Sequence, residues 1–277
     1  MNWLFNKNVV ISGASSGIGK EITKILIQKY NCKVLGLART KANLESFASE
    51  LNSPLFSYYV MDVSKSENWK NLHAYLISSD FKIDILINNA GTMPPFDNFY
   101  HTTEEKTAQV FATNFFSATY GMRELLPLLK QSNSPAIINI SSAGALSCMP
   151  GVSIYAASKS ALKTFSETLS VELNHKVFVS TIMPGFVKTN LFVNKDNQKD
   201  IIEACDQKFI DHFCMKLNKM AKKIVKVIAK KRKRAIIGID AKFLNIFYKL
   251  APQTSGNIVG GIMKKSKLKT FDDIWNN

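Results

Sequence analysis

The chain has 277 residues, 46% of them hydrophobic, and its 36 Lys and Arg outweigh 21 Asp and Glu to leave a net charge of +15. That length and apolar content suit one large α/β domain with a buried core and exclude a disordered chain. The apolar runs are short and broken by charge, which excludes a transmembrane span, and the opening Met1-Asn-Trp-Leu-Phe-Asn-Lys lacks the apolar core of a signal peptide.

Cys32, Cys148, Cys205 and Cys214 are scattered, with no C-x-x-C pair and no histidine set beside them. Reduced thiols in a cytoplasmic setting are expected, and no metal site. The charge is uneven. Residues 201–277 hold 17 basic and 6 acidic residues, a balance of +11, whereas the first 200 hold 19 and 15.

Asn8-Val-Val-Ile-Ser12 reads as a buried-type strand. Gly13-Ala14-Ser15-Ser16-Gly17-Ile18-Gly19 follows, and then a helix to about Tyr30. Strand, glycine turn and helix in this order suit a pyrophosphate, because glycines let the backbone approach and a helix start offers free N–H groups. A second strand, Lys33 to Ala38, ends at Arg39-Thr40. In a dinucleotide fold that strand end faces the adenosine ribose, where an acid would bond the 2′-hydroxyl and an arginine suits a 2′-phosphate. Arg39 stands there with no acid, so NADP(H) is expected over NAD(H).

A helix over 41–51, a strand over Leu55–Met61 ending in Asp62-Val63, a helix near 65–78 and a strand over Ile83–Ile87 come next. This alternation predicts a doubly wound parallel sheet, a Rossmann-type three-layer α/β/α fold. Asp62 is able either to accept from an adenine amino group or to cap its own loop, and both readings stay open. Asn88-Asn89-Ala90-Gly91 offers small residues where backbone would lie against a cofactor.

A long helix is expected from about Thr103 to Lys130, with Asn114 near its middle. Asparagine is a poor helix former, so a role is suspected. Strand Ala136–Ile140 leads into Ser141-Ser142, a small apolar loop over 143–152, and a helix over Ile154–Leu173. Tyr155 and Lys159, four apart, share one face of that helix. A neighbouring ammonium favours the phenolate, so the Tyr155 pKa is expected below its ordinary value, which suits a phenol that gives or takes a proton. Strand Val177–Ile182 then runs into Met183-Pro184-Gly185-Phe186-Val187-Lys188-Thr189. That turn suits the nicotinamide end of a cofactor, with Thr189 able to bond its carboxamide or pyrophosphate.

Gly13-x-x-x-Gly17-x-Gly19, Asn88-Asn-Ala-Gly91, Ser142, Tyr155-x-x-x-Lys159 and Pro184-Gly185 stand in an order and spacing that resemble the classical short-chain dehydrogenase/reductase family, over roughly residues 7–195. The resemblance implies a proton relay of Asn114, Ser142, Tyr155 and Lys159. Tyr155 would be the acid/base, and Lys159 would lower its pKa and hold the nicotinamide ribose. Ser142 would bond the substrate oxygen, and Asn114 would position a water linking Lys159 to solvent. Joined to the readings above, the implied cofactor contacts are Gly13, Ser15, Ser16, Gly17, Ile18, Gly19, Arg39, Asp62, Val63, Asn89, Ala90, Gly91, Tyr155, Lys159, Pro184, Gly185, Val187 and Thr189. Simple members of the family finish soon after a strand with an Asp-Gly-Gly signature. Here Ala235–Ile239 runs into Asp240 with 37 residues to follow, a layout more like reductases with extended C-termini that act on lipid-like or steroid-like carbonyls.

In the basic quarter, Lys219 to Lys231 reads as an amphipathic helix with Met220, Ile224, Val227 and Ile228 on one side. Phe243, Leu244, Ile246, Phe247 and Leu250 suggest a second, stopped before Pro252. Solvated lysines and peripheral contact with an anionic membrane both remain open. Nucleic acid is not expected, since the aromatics are not interleaved with the basic cluster. Met93, Phe96, Leu146, Met149, Phe186 and Phe192, with Ser142, fall on loops after strand ends and suggest an apolar substrate pocket.

The expectation is a catalytic domain over 1–240, including a substrate loop over 186–218, with a basic extension over 241–277 packed on it. Its function would be NADP(H)-dependent reduction of an apolar, lipid-like carbonyl, or oxidation of the alcohol, by a homodimer. A 3-oxoacyl-thioester reductase and a non-catalytic NADPH-binding regulator or scaffold are the alternatives.

Overall fold

The computed structural model describes residues 2–174, 176–187, 214–266 and 269–275. Its sheet has seven strands, β1 (Asn8–Ser12), β2 (Lys33–Ala38), β3 (Phe56–Val60), β4 (Ile85–Asn88), β5 (Ala136–Ile140), β6 (Phe178–Pro184) and β7 (Arg234–Ile237). They lie in the order β3-β2-β1-β4-β5-β6-β7, every neighbouring pair parallel. The chain winds outward from β1 in both directions, so a crevice opens at the C-terminal ends of β1 and β4. This is the doubly wound Rossmann-type sheet expected.

Between and after the strands run α1 (Gly17–Tyr30), α2 (Lys41–Leu51), α3 (Ser66–Ser78), α4 (Glu104–Phe111), α5 (Ser117–Leu129), α6 (Ser153–Glu172), α7 (Leu217–Ala229), α8 (Ile239–Leu250) and α9 (Pro252–Lys265). Side-chain alternation along the buried strands splits the core in two. Val9, Ile11, Ile85, Ile87, Ile138 and Ile140 face α1 and α7, packing on Ile22, Leu26, Met220, Ile224 and Ile228. Val10, Leu86 and Ile137 face the other way, onto Trp69 and Leu72 of α3, Met122 and Leu125 of α5, and Leu162 of α6. Each fully buried side chain of this size contributes about 2 kcal/mol.

Three sequence expectations change. The helix expected over 103–130 is divided, because Ala112–Phe116 form a π-helical turn between α4 and α5. The wider turn carries Asn114 into the interior. The apolar side of α7 is core against α1, so that helix offers no face to a membrane. The chain does break before Pro252, but proline then serves as the first residue of a further helix, α9, that the sequence reading missed. Among the described residues no helix is long and apolar enough to cross a membrane.

Gly121 makes the α3–α5 contact. A Cβ placed on it would stand 2.7 Å from the Trp69 ring, which is fully buried and cannot swing away. Gly121→Val should therefore lower stability by about 1–3 kcal/mol through overpacking. A urea midpoint unchanged from wild type would contradict this packing.

Candidate active site

The glycine turn is held by the strands on either side. Gly13 N–H and Ala14 N–H donate to Leu37 O at 2.8 and 3.2 Å. Ser12 Oγ, at the end of β1, accepts from Asn89 N–H and Ala90 N–H, both at 3.0 Å. Asn89 Nδ2 donates back to Ser12 O at 3.0 Å and Gly13 O at 3.3 Å. Asn89 thus braces the turn, and Ser12 is a partner that sequence reasoning missed; its signal was a lone hydroxyl at the end of an apolar strand. Gly19 sits so close under Gly13 O that any Cβ would collide with it. Gly17, at φ +56°, has open space where a side chain would be. Helix α1 starts from Ser16 with no side-chain cap, leaving the first-turn N–H groups of Gly17, Ile18 and Gly19 directed out of the helix start. Ser15 lies in the same turn.

Arg39 is exposed just past the end of β2. Of the two readings for Asp62, the capping one describes its Oδ1, which accepts from Ser64 N–H at 3.0 Å and Ser64 Oγ at 2.8 Å. Val63 is buried in the core, its carbonyl accepting from Trp69 Nε1 at 2.8 Å.

Asn114, Ser142, Tyr155 and Lys159 converge where β4, β5 and α6 meet. Ser141 Oγ donates to Lys159 O at 2.8 Å, and Lys159 Nζ donates to Ile140 O at 3.1 Å, so α6 is stitched to the end of β5 at two points. Asn114 Nδ2 donates to Thr92 O at 2.9 Å and Ser158 Oγ at 3.0 Å, while its Oδ1 accepts from Thr92 N–H at 2.7 Å. Ser158 Oγ in turn donates to Tyr155 O at 2.7 Å. Asn114 is thereby spent on positioning the loop after β4 against α6. Ser141, Ser158 and Thr92 are positioning residues without a sequence signal beyond their polarity. Gly91 completes the arrangement, since a Cβ there would lie 3.2 Å from Lys159 Nζ and 3.3 Å from Asn114 Oδ1.

Ser142 Oγ accepts from Gly144 N–H at 3.1 Å, and it flanks Gly144 together with the Tyr155 ring. The expected downward shift of Tyr155 is corrected here. Burial raises its pKa, and the neighbouring Ser142 hydroxyl only partly opposes this. Lys159 cannot reverse the sign because burial pushes its own pKa down to about 8. The phenol is thus held protonated at neutral pH.

At the end of β6, Gly185 N–H donates to Ile237 O at 2.7 Å and Phe186 N–H donates to Asp240 Oδ2 at 2.6 Å. Gly185 has no room for a Cβ beside the Asp240 carboxylate, so Pro184-Gly185 is pinned by the start of α8. Val187 is buried in the core rather than turned to the crevice. Thr189 and Phe192 lie outside the described residues, as does Cys205. Cys32 is buried and Cys148 exposed, both free, and no metal-binding group occurs among the described residues.

The substrate residues divide. Phe96 packs with Val152, Tyr155, Met263, Phe271 and Ile274 in one apolar cluster, with Met93 and Met149 against it. Leu146 and Met149 line a cavity of about 710 Å³ that α6, α8 and α9 also wall. Neither Tyr155 nor Lys159 lines that cavity, although Gly144 and Ala156 beside Tyr155 do.

A family model described as short chain dehydrogenase matches residues 7–200. The 11-beta-hydroxysteroid dehydrogenase 1A of Arabidopsis thaliana is 37% identical over 200 residues, 69% of this chain and 55% of that protein, so the chain matches about half the length of that relative. The probable short-chain type dehydrogenase/reductase VdlC of Helicobacter pylori is 32% identical over 259 residues, 88% of this chain and 93% of that one. Among solved structures, a short chain dehydrogenase/reductase from Burkholderia phymatum in complex with NAD superposes with a TM-score of 0.80 at 20% identity, covering 91% of this chain and 96% of the other.

Lys159 makes a pH test. Its pKa is lowered from 10.5 to about 8 in the folded chain, so between those values the unfolded chain binds the extra proton and stability rises with pH. Below pH 8 the cost of burying the charge is fully present. The raised pKa values of Tyr155 and Cys32 act oppositely at higher pH, so the readout is the difference between wild type and Lys159→Met. Wild-type stability relative to the variant should climb through that window by as much as about 3 kcal/mol in urea titrations. A flat difference from pH 7 to 10.5 would contradict the buried amine.

Proposed function

The chain belongs to the short chain dehydrogenase family, whose members are oxidoreductases, and from that premise we propose that it is an NADP(H)-dependent enzyme reducing the ketone or aldehyde of an apolar, lipid-like substrate, or oxidising the alcohol. One observation carries the proposal. A buried, protonated phenol stands beside a serine hydroxyl and one helical turn from a buried lysine, at the strand ends where a doubly wound sheet binds ligands.

The residues fit a bound dinucleotide. The uncapped start of α1 and the open side of Gly17 suit the pyrophosphate, with Gly13, Ser15, Ser16, Ile18 and Gly19 around it. Arg39 would meet the 2′-phosphate. Asn89, Ala90 and Gly91 would lie along the cofactor, Pro184 and Gly185 near its nicotinamide, and Lys159 at the adjoining ribose. When bound, the cofactor supplies or accepts the hydride at the carbonyl carbon. In the reducing direction, Tyr155 gives its phenolic proton to the carbonyl oxygen, and Ser142 holds that oxygen by a hydrogen bond as negative charge develops. Lys159, while protonated, stabilises the resulting phenolate. At neutral pH the buried phenol is in the protonated form that a donor to the carbonyl oxygen requires.

The hydroxysteroid relative and the apolar residues Met93, Phe96 and Val152 beside Tyr155 support an apolar substrate. The Burkholderia protein binds NAD, so the phosphate preference rests on Arg39 alone. A homodimer through α4, α5 and α6 belongs to the same proposal, since Phe116 and Phe165 stand exposed there beside Phe115 and Tyr120. So does the division into a catalytic unit over 1–240 and an extension over 241–277.

Cofactor oxidation across apolar ketones, aldehydes and acyl thioesters tests the proposal. Turnover of apolar ketones or aldehydes with NADPH is expected. Turnover confined to acyl thioesters would indicate a thioester reductase, and NADPH binding without any turnover a regulatory protein. Arg39→Asp should weaken NADPH by about tenfold or more while leaving NADH nearly unchanged. Equal losses for both cofactors in binding titrations would refute the phosphate assignment.

A further inference from the structure

Helix α8 turns its apolar stripe outward. Ile239, Phe243, Ile246, Phe247 and Leu250 recur at helical spacing, and only Ala241 of this helix is buried. Ile239 is 88% exposed, Phe243 64%, Ile246 57% and Leu250 81%, with Phe243 stacked on Phe247. Helix α9, packed beside α8, adds Ile258 and Ile262, one turn apart and both exposed. An apolar face of this extent marks a surface made to be covered.

The charges around it indicate by what. Lys242 and Lys249 are exposed on α8, and Lys264 and Lys265 are exposed at the end of α9. Residues 239–266 contain a single acid, Asp240, and its carboxylate is turned inward to accept from Phe186 N–H. A second copy placed on this face about a two-fold axis would bring lysine against lysine. An anionic bilayer complements both features, taking the apolar stripe below its headgroups and the ammonium groups among them. Helix α7 carries more lysine but has its apolar side in the core, so it offers charge without an anchor.

We propose that the outward face of α8 and α9 seats on an anionic lipid bilayer, with Ile239, Phe243, Ile246, Leu250 and Ile262 entering the headgroup–acyl boundary and Lys242, Lys249 and Lys265 meeting the headgroups. This docking does not depend on the redox assignment. It does bear on it, because α8 holds the end of β6 through Asp240 and α9 contributes Met263 to the cluster around Tyr155. The membrane would therefore sit against elements that frame the site.

Co-sedimentation of the full chain with vesicles tests it. The chain should pellet with phosphatidylcholine vesicles containing about a third phosphatidylserine, much less with phosphatidylcholine alone, and progressively less as salt rises. Phe243→Glu with Leu250→Glu, and separately Lys242→Glu with Lys249→Glu, should each reduce binding by at least about tenfold. All four side chains are exposed, so thermal melts should stay near wild type and separate lost docking from lost folding. Failure of the wild-type chain to pellet at low salt, or pelleting untouched by both pairs of substitutions, would overturn the proposal. So would sedimentation equilibrium showing a dimer that Phe243→Glu with Leu250→Glu splits while acidic vesicles bind nothing, since a second copy would then be the occupant.

Discussion

The site depends on the seam between the end of β5 and the inner face of α6. Ser141 Oγ donates to the Lys159 carbonyl, and the Lys159 ammonium donates to the Ile140 carbonyl. The two bonds fix where α6 begins relative to the sheet, and so fix Tyr155 against Ser142. A buried polar junction of this kind tolerates little rearrangement, because any group left unpaired costs about 1–3 kcal/mol. Asn114 extends it sideways by joining the loop after β4 to Ser158. The β4–β5 and β5–β6 crossover connections are thereby locked into one corner of the sheet.

Burial governs the electrostatics of that corner. Among charges in water, a lysine near a tyrosine would lower the phenol's pKa. Here both groups are taken out of water, and desolvation penalises the phenolate and the ammonium alike. The result is a tyrosine that keeps its proton and a lysine poised to lose its own within a unit or so of neutrality. A protonated phenol with a titratable neighbour is thus already assembled by the polypeptide.

Much of this was legible in the sequence because it is carried by short-range pattern. The strands came within one or two residues of their observed ends, since β-branched runs bounded by polar turns leave little choice. The glycine turn and the Tyr155–Lys159 pair were legible because turn geometry and helical spacing are local properties. What stayed hidden was set by distant partners. The sign of the Tyr155 shift depends on burial contributed by Phe96, Met263 and Phe271 from far along the chain. The π-helical turn at Ala112–Phe116 announced itself only as a misplaced asparagine. The outward stripe of α8 and the inward stripe of α7 look alike in sequence, and only the fold separates them.

The C-terminal segment is more than an appendage to the nucleotide-binding fold. Asp240 anchors the loop after β6, Gly151 leaves room for the Ile274 side chain, and Asn98 Nδ2 donates to Ile274 O at 3.2 Å. These contacts close an apolar wall around the Tyr155 ring. The decisive measurement is turnover by Tyr155→Phe, with NADPH affinity measured on the same preparation. Cofactor binding should be nearly unchanged while turnover falls by about a thousandfold, the scale of a lost general acid. Turnover at the wild-type rate would contradict the role given to that phenol.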